Sequence, residues 1–407
     1  MAQYHVTLDG DVLHGLFQRD EGVARLLEQV LNQILQAQAT EQLHARPYER
    51  SEDRQGYRNG TLPHPLTTRV GTLTLRVPRL RSGQFSTDLF FRYQRSEQAL
   101  VLALLEMVVN GVSTRKVAKI TEELCGTEFS KSTVSDLCKR LDPIVQAWNN
   151  RTLREQRYPF VLVDALVLKI REEGRVRSRS ALIAIGVNEA GYREVLGLML
   201  GDSESEASWT EFFTWLKSRD LRGVDIVVSD SHGGLVRAVR SQFQGATWQG
   251  CQTHFMRNIL DVTPKSLQGE IHSRVRALLD APDTKTARLL LEKVQDDYAH
   301  KAPKAIAILE TGFDDATAVL ELPERYRKRL RTTNGVERLN EEIRRRERVI
   351  RIFPNRESVI RLLGALLMEL DEKWSFGNRY LDMAEYLEWR EKQREAQKQS
   401  SKIHRLG

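Results

Sequence analysis

Val227-Val228-Ser229-Asp230-Ser231-His232-Gly233-Gly234 is the stretch on which the fold of this chain turns. The apolar run from Val224 to Val228 reads as a buried strand that delivers one carboxylate to a point where a serine, a histidine and two glycines turn the backbone. A strand tip of this kind presents a side chain to a site, which makes Asp230 a candidate catalytic residue. A lone aspartate there also fits a turn or a helix N-cap, so the assignment depends on further carboxylates at matching places. Two are present, Asp164 and Glu337.

Upstream, Asp164 interrupts a long apolar segment, Phe160 to Ile170. A buried aspartate inside a strand is costly unless it is paired, hydrogen-bonded or metal-bound, so its place among Val and Leu points to function. Ser180 to Val187 and Val195 to Leu200 follow as strands around the turn Asn188-Glu-Ala-Gly191, completing an antiparallel meander. Trp209, Phe212, Phe213 and Leu216 then mark a helix, and Val224 to Asp230 is the fourth strand. A second helix (Leu235, Val236, Val239, Phe243) leads to a short fifth strand, Ala246 to Cys251. This order resembles the ribonuclease-H-like layout, an α/β core on a mixed five-stranded sheet. Its first and fourth strands are neighbours, so Asp164 and Asp230 are expected to face each other, close enough to share metal ions.

Between Ile259 and Pro323, segments of helical spacing punctuated by prolines read as an all-α insertion. The most basic tract follows, from Arg325 through Arg344, Arg345, Arg346 and Arg351, and contains Thr332-Thr-Asn-Gly-Val-Glu337-Arg-Leu-Asn340. Asn334 and Glu337 have capping-box spacing. Two readings of Glu337 therefore stand open, a helix cap or a third carboxylate turned toward the aspartates. Cys251 and His254 are two metal-ligand types at close spacing, but the second pair that a structural zinc site needs is missing, so a role in packing or in shaping the site is expected.

At the N-terminal end, Val23, Leu26, Leu27, Val30, Leu31, Ile34 and Leu35 form one helical stripe for packing within the chain or between subunits. Residues 46–95 hold ten arginines, no lysine and four acids, and Leu73 to Arg79 alternates as a strand after a turn at Gly71. That region is either a solvated arginine-rich hairpin or a contact to DNA phosphates. From Gly111 to Trp148 two capped helices have a helix-turn-helix outline: Ser113 before Val117, Ile120 and Leu124, a stop at Gly126, then Ser130 or Ser132 before Val134, Leu137 and Leu141. Lys131, Ser132, Thr133, Ser135 and Lys139 would be exposed on the second helix, able to reach base edges in a major groove. The same outline occurs in helix pairs that never meet DNA.

A chain of 407 residues with 41% hydrophobic content is globular, and a formal net charge of +7 suits a polyanionic partner as well as solubility. Three cysteines make no disulfide framework, and neither a signal peptide nor an apolar span of about 18 residues is evident. A soluble cytoplasmic protein is expected.

Asp164 in its strand, Asp230 in Val-Val-Ser-Asp-Ser-His-Gly-Gly, Cys251-Gln-Thr-His254-Phe-Met-Arg-Asn and Asn334-Gly-Val-Glu337-Arg-Leu-Asn together resemble the bacterial insertion-sequence branch of the Mutator transposase superfamily. Pro47 to Gly60 and Thr72 to Arg79 extend the likeness over nearly the whole chain. The resemblance implies a DDE transposase with Asp164, Asp230 and Glu337 as its triad, and Cys251 and His254 as a Cys-x-x-His signature. It also implies a homodimer that binds the terminal inverted repeats of an element and joins its ends to target DNA. Divided on this basis, the chain comprises a helical dimerisation region (1–45), an Arg-rich hairpin region (46–98), a helix-turn-helix DNA-binding domain (99–150), the core in two parts (151–258 and 324–407) and the helical insertion (259–323). The expected compartment is the bacterial cytoplasm, at the nucleoid.

Three oxygen donors and no soft ones select Mg2+, with Mn2+ as substitute, and two such ions roughly 3.5 to 4 Å apart serve an in-line displacement at phosphorus. A nuclease or junction resolvase would share these acids without needing the helix pair or the insertion. A DNA-binding regulator derived from a transposase would have no need of them.

Overall fold

The computed structural model describes residues 6–403 apart from 16–21, 82–84, 88, 90–95, 97 and 126–128. The chain divides into two compact units, Met1–Arg140 and Leu141–Gly407.

In the first unit a short helix α1 (Gly10–Gly15) precedes α2 (Gly22–Leu43), and β1 (Arg58–Thr68) pairs antiparallel with β2 (Gly71–Leu80). The α2 stripe is used inside the chain: Leu35 joins Leu66, Leu73 and Leu75 of the hairpin in one buried cluster, with Leu27 and Leu31 packed against it. Polar side chains of the same helix satisfy the edge of β2. The Thr74 amide donates to Glu28 Oε2 at 2.9 Å and the Arg76 amide to Asn32 Oδ1 at 2.6 Å. Residues four apart on a helix thus meet residues two apart on a strand, which closes an edge otherwise open to pairing. Leu27 and Leu31 are thus partly buried against the hairpin cluster.

Helices α3 (Gln98–Val109), α4 (Thr114–Cys125) and α5 (Lys131–Cys138) pack on one another. Of the two serines considered as caps for α5, Ser130 is the one used: its hydroxyl accepts from the Thr133 amide at 3.1 Å. Val117, Val134 and Leu137 are buried as their spacing requires. The stop expected at Gly126 lies outside the described residues.

The second unit begins with α6 (Asp142–Asn149), ten residues earlier than the boundary expected at 150/151. The reason is an edge contact. Asn149 brackets Leu198 of the third core strand, donating to its carbonyl at 2.8 Å and accepting from its amide at 2.9 Å. Beside it, the buried Asp371 accepts from Trp148 Nε1 (2.9 Å), Arg151 (3.0 Å) and the Val195 amide (2.6 Å).

The sheet of this unit is mixed and five-stranded, in the order β5-β4-β3-β6-β7. Its strands are β3 (Phe160–Glu172), β4 (Arg175–Val187), β5 (Arg193–Gly201), β6 (Ile226–Ser229) and β7 (Thr247–Gly250), with α7 (Glu206–Ser218) before β6 and α8 (Gly233–Gln242) after it. β3, β4 and β5 pair antiparallel, while β6 pairs parallel with both β3 and β7. Alternation along β3 divides the cores: Val161 and Val163 face Trp209, Phe212, Phe213 and Leu235 of α7 and α8, whereas Phe160, Leu162, Leu166 and Leu168 face the other way.

That second face is covered by C-terminal helices α13 (Glu324–Leu330), α14 (Asn334–Ile350), α15 (Arg356–Ser375) and α16 (Ala384–Ile403), through Leu330, Val336, Leu339, Ile343, Leu363, Leu367 and Tyr386. Between the two parts of the sheet unit sits a helical insertion with its own core: α9 (Gln252–Asp261), α10 (Gln268–Leu279), α11 (Thr284–Tyr298) and α12 (Pro303–Thr317). It is anchored by the buried Gln249, which accepts from the Val319 amide at 2.6 Å and donates to the Ala316 carbonyl at 2.9 Å.

Gly191 closes the β4–β5 turn at φ +89°, where a Cβ would stand 1.9 Å from the Leu381 carbonyl oxygen. Only glycine permits both that backbone conformation and the approach of residues 380–381, whose amides donate to the Gly191 carbonyl. No described helix is long and apolar enough to cross a membrane.

Candidate active site

Register brings the two aspartates together. Leu162 lies opposite Val228 in the parallel pair, so two residues further along, at the same parity, come Asp164 and Asp230. They interrupt the apolar series facing α14, which is why both carboxylates share one side of the sheet. Asp164 accepts from its neighbour's amide, Ala165, at 2.8 Å and from Asn340 Nδ2 of α14 at 2.7 Å. Burial pushes its pKa up to about 6, with a further push from Asp230 that the Ala165 bond and His254 oppose. Neither aspartate forms an ion pair among the described residues.

The backbone past Asp230 departs from the sequence expectation. Gly233 and Gly234 begin α8 without a positive φ, so glycine is not needed there for a turn. Gly234 is needed for proximity: a Cβ would sit 2.7 Å from the Glu206 amide at the start of α7. This close approach places Glu204 near the site. Burial, and after it Asp230, raises the Glu204 pKa, and its carboxylate lies 3.8 Å from His232 Nδ1.

Glu337 stands in the first turn of α14. The N-cap is Thr333, and Asn334 is the first helical residue rather than the cap. The Thr333 hydroxyl reaches Glu337 Oε1 at 3.4 Å and Cys251 Sγ at 3.3 Å, while the Thr333 amide donates to the same sulfur at 3.4 Å. His254 Nε2 is 4.0 Å from Glu337 Oε1. Cys251, His254 and Glu337 each offer a ligand atom within 4.8 Å of the others, and no other such trio of His, Cys, Asp or Glu occurs among the described residues.

Burial acts to raise the pKa of the Cys251 thiol, but interactions with His254 and Thr333 more than offset it and leave the pKa below the ordinary value. Cys251 in turn raises the His254 pKa against burial, helped by Glu337 and Asp230. An acidic wall (Asp164, Glu204, Asp230, Glu337) thus faces an imidazole biased toward its cationic form.

Asn340 and Glu204 were not singled out by the sequence reading. Asn340 had a usable signal, since three residues on from Glu337 is the same helix face. Glu204, a lone loop acid, had none.

Of the residues expected to touch DNA, Lys131, Ser132, Thr133 and Ser135 are exposed on α5 and Lys139 is exposed at its C-cap, although Ser132 and Thr133 bond Ser130 and Lys139 pairs with Asp136 at 2.8 Å. Arg344 and Arg345 are exposed on α14. Arg346 is not: its side chain is 4% exposed and held by Glu342, so it is structural and leaves the DNA-facing set.

Comparison with known proteins fits this geometry to a lineage. The model of the transposase family "Transposase, Mutator family" matches residues 3–377. The transposase for insertion sequence element IS256 in transposon Tn4001 of Staphylococcus aureus is 46% identical over 384 residues, covering 93% of this chain and 98% of that protein. The transposase for element ISRM5 of Rhizobium meliloti is 44% identical, covering 90% and 92%. Among solved structures, the Mos1 transposase paired-end complex with left transposon end aligns at 14% identity over 58% of this chain and 82% of that one. Its TM-score is 0.17, too low to bear on the fold. The assignment therefore rests on sequence matches that cover nearly the whole chain, and by them the chain belongs to the Mutator family of transposases.

Proposed function

We propose that this transposase binds the terminal inverted repeats of an insertion sequence and catalyses DNA cleavage and strand transfer at a DDE site formed by Asp164, Asp230 and Glu337 in a ribonuclease-H-like core. The observation that carries this reading is the register of the parallel pair β3 and β6, Leu162 against Val228, which puts Asp164 and Asp230 at matching positions two residues on, with α14 packed across the same face. The donor set fits divalent cations. Its acids are hard oxygen ligands, the aspartates lack a paired Lys or Arg among the described residues, and burial, with a smaller push from Asp230, raises the Asp164 pKa to about 6, a cost that a bound cation would relieve. Two Mg2+, or Mn2+, bound there would lower the cost of charge on the attacking and departing oxygens.

The protein's own residues do the rest. Asn340 donates to Asp164 and thereby favours its ionised form and fixes its orientation. Glu337, bonded to Thr333 and near His254, would be the third carboxylate to hold the cation. His254, biased toward imidazolium, donates to a non-bridging phosphate oxygen. Arg344, two turns beyond Glu337 on the same face of α14, is aimed at the flanking backbone. Lys131, Ser132, Thr133, Ser135 and Lys139 present the polar side of a helix-turn-helix to the repeat. A homodimer acting on double-stranded DNA in the bacterial cytoplasm accommodates two ends at once.

Incubating the protein with Mg2+ and DNA carrying its element ends should yield joined 3′-ends. Hydrolysis without any joining would overturn strand transfer in favour of a nuclease.

Cation binding at this site should depend on pH with a defined sign. The folded pKa of Asp164, about 6, exceeds the ordinary 3.8, so its ionisation costs stability, and the contribution of the protonated form is lost as pH rises from about 4 through 6. A cation at the site reverses that loss only where the carboxylate is ionised. Mg2+ should therefore raise Tm more at pH 7.5 than at pH 5, and the difference should vanish in Asp164→Asn. Equal shifts at both pH values would remove Asp164 from the cation site.

A further inference from the structure

On the side of α14 turned away from Glu337 and Asn340 lies a cavity of about 630 Å3, lined by Arg193, Lys328, Arg329, Arg338, Trp374 and Tyr380 among others. Its volume is within the range of small-ligand sites. The wall is built rather than merely basic. Arg193, at the start of β5, lies with its guanidinium 4.3 Å from the Trp374 ring and 4.4 Å from the Tyr380 ring, and the Arg329 guanidinium lies 5.0 Å from the same tyrosine ring. Gly191 makes this possible, because residues 380–381 close on the β4–β5 turn through its carbonyl.

No carboxylate balances these cations. Arg193, Lys328, Arg329 and Arg338 form no ion pair among the described residues, and burial, with Arg329 and Arg338 beside it, lowers the Arg193 pKa. The one acid on the wall, Glu342, is engaged by Arg345 and Arg346, which hold its pKa at about 2. Like charges gathered around a half-buried guanidinium are unfavourable unless an anion joins them. A planar fork held between two rings is preorganised for two parallel bonds to phosphate oxygens.

We propose that this cavity is a phosphate site that takes one backbone phosphodiester of the DNA strand served by the neighbouring catalytic carboxylates. The proposal rests on the transposase reading above. It makes α14 a partition, with Glu337 on its catalytic side and a DNA phosphate gripped behind it, so that substrate binding braces the helix that carries the third acid.

The test measures binding of full-length protein to element-end DNA as a function of salt. Arg338→Gln is the first variant, because Arg338 is exposed and its loss leaves the fold untouched; Arg193→Gln is the second. Each should bind about tenfold more weakly at physiological salt and lower the slope of log K against log salt by about 1. Ethylation interference should reveal one phosphate whose modification weakens wild-type binding but no longer matters to Arg193→Gln. Asp230→Asn, inactive in cleavage, should keep the wild-type slope. Unchanged slope and interference in both arginine variants would overturn the phosphate site while leaving the transposase reading intact. Calorimetric binding of free dAMP, lost in Arg193→Gln with the DNA slope unchanged, would reassign the cavity to a free nucleotide and overturn the DNA assignment. Failure of the wild type to bind element-end DNA would overturn both.

Discussion

Asp230→Asn and Asp164→Asn should each abolish cleavage and joining, by at least about 10^3-fold, without unfolding the protein. The substitution is isosteric and removes one charge from a site where Asp164, Glu204 and Asp230 repel each other. Loss of that repulsion leaves thermal stability unchanged or slightly higher in the absence of cation, whereas neutralising a structural carboxylate lowers it. Asp371, tied to Arg151, Trp148 and the Val195 amide, supplies the contrast within the same unit: its asparagine variant should be less stable, because it weakens a buried charge-assisted network. A combined measurement of Tm and of 3′-end joining separates the two classes. Should Asp230→Asn join DNA ends at the wild-type rate, the proposed site is wrong.

Glu337→Gln should lose at least about 10^2-fold in activity while shifting Tm by little. The helix-cap explanation makes the reverse forecast, a loss of about 1 kcal/mol in stability with the chemistry spared. Geometry favours the first outcome. Thr333 is the N-cap, Glu337 is the fourth helical residue, and its contact with the Thr333 hydroxyl is a long 3.4 Å. Its other near neighbour, the His254 imidazole, lies 4.0 Å from it, with Cys251 beside both. Thr333→Ala is the useful companion, because it removes the hydroxyl that touches both Cys251 and Glu337 but leaves the carboxylate in place. If Thr333→Ala and Glu337→Gln lose stability equally and both remain active, Glu337 is a cap alone.

Much of this site was legible without coordinates. A strand has a period of two, so an aspartate inside one apolar run and another at the end of a second run can be placed on the same face once the strand order is known. The insertion was visible for a similar reason, helical spacing between prolines. Other features were not. The glycines after Asp230 look like turn residues, yet Gly234 is required by the backbone of α7, more than 25 residues earlier. Leu27 and Leu31 look like an interface, and they meet a hairpin that begins at residue 58. Arg346 reads like its neighbours Arg344 and Arg345 until the helix turns it inward onto Glu342.

The common thread is the range over which each force acts. Periodicity, caps and turn chemistry are properties of neighbouring residues, and they were enough to assign the five strands of the mixed sheet, the two helices that flank β6, and the matching positions of Asp164 and Asp230. Charge and hydrogen bonding act through space, so the chain alone could not show that Asn340 would reach Asp164 or that Glu204 would lie beside Asp230. Nor could it show that Glu337 would meet Cys251 and His254, or that four cations from β5, α13 and α14 would line one cavity. Those relations exist only once α8 closes on the start of α7 and α14 lies across the sheet, which brings Asn340 and Asp164, 176 positions apart, within hydrogen-bonding distance.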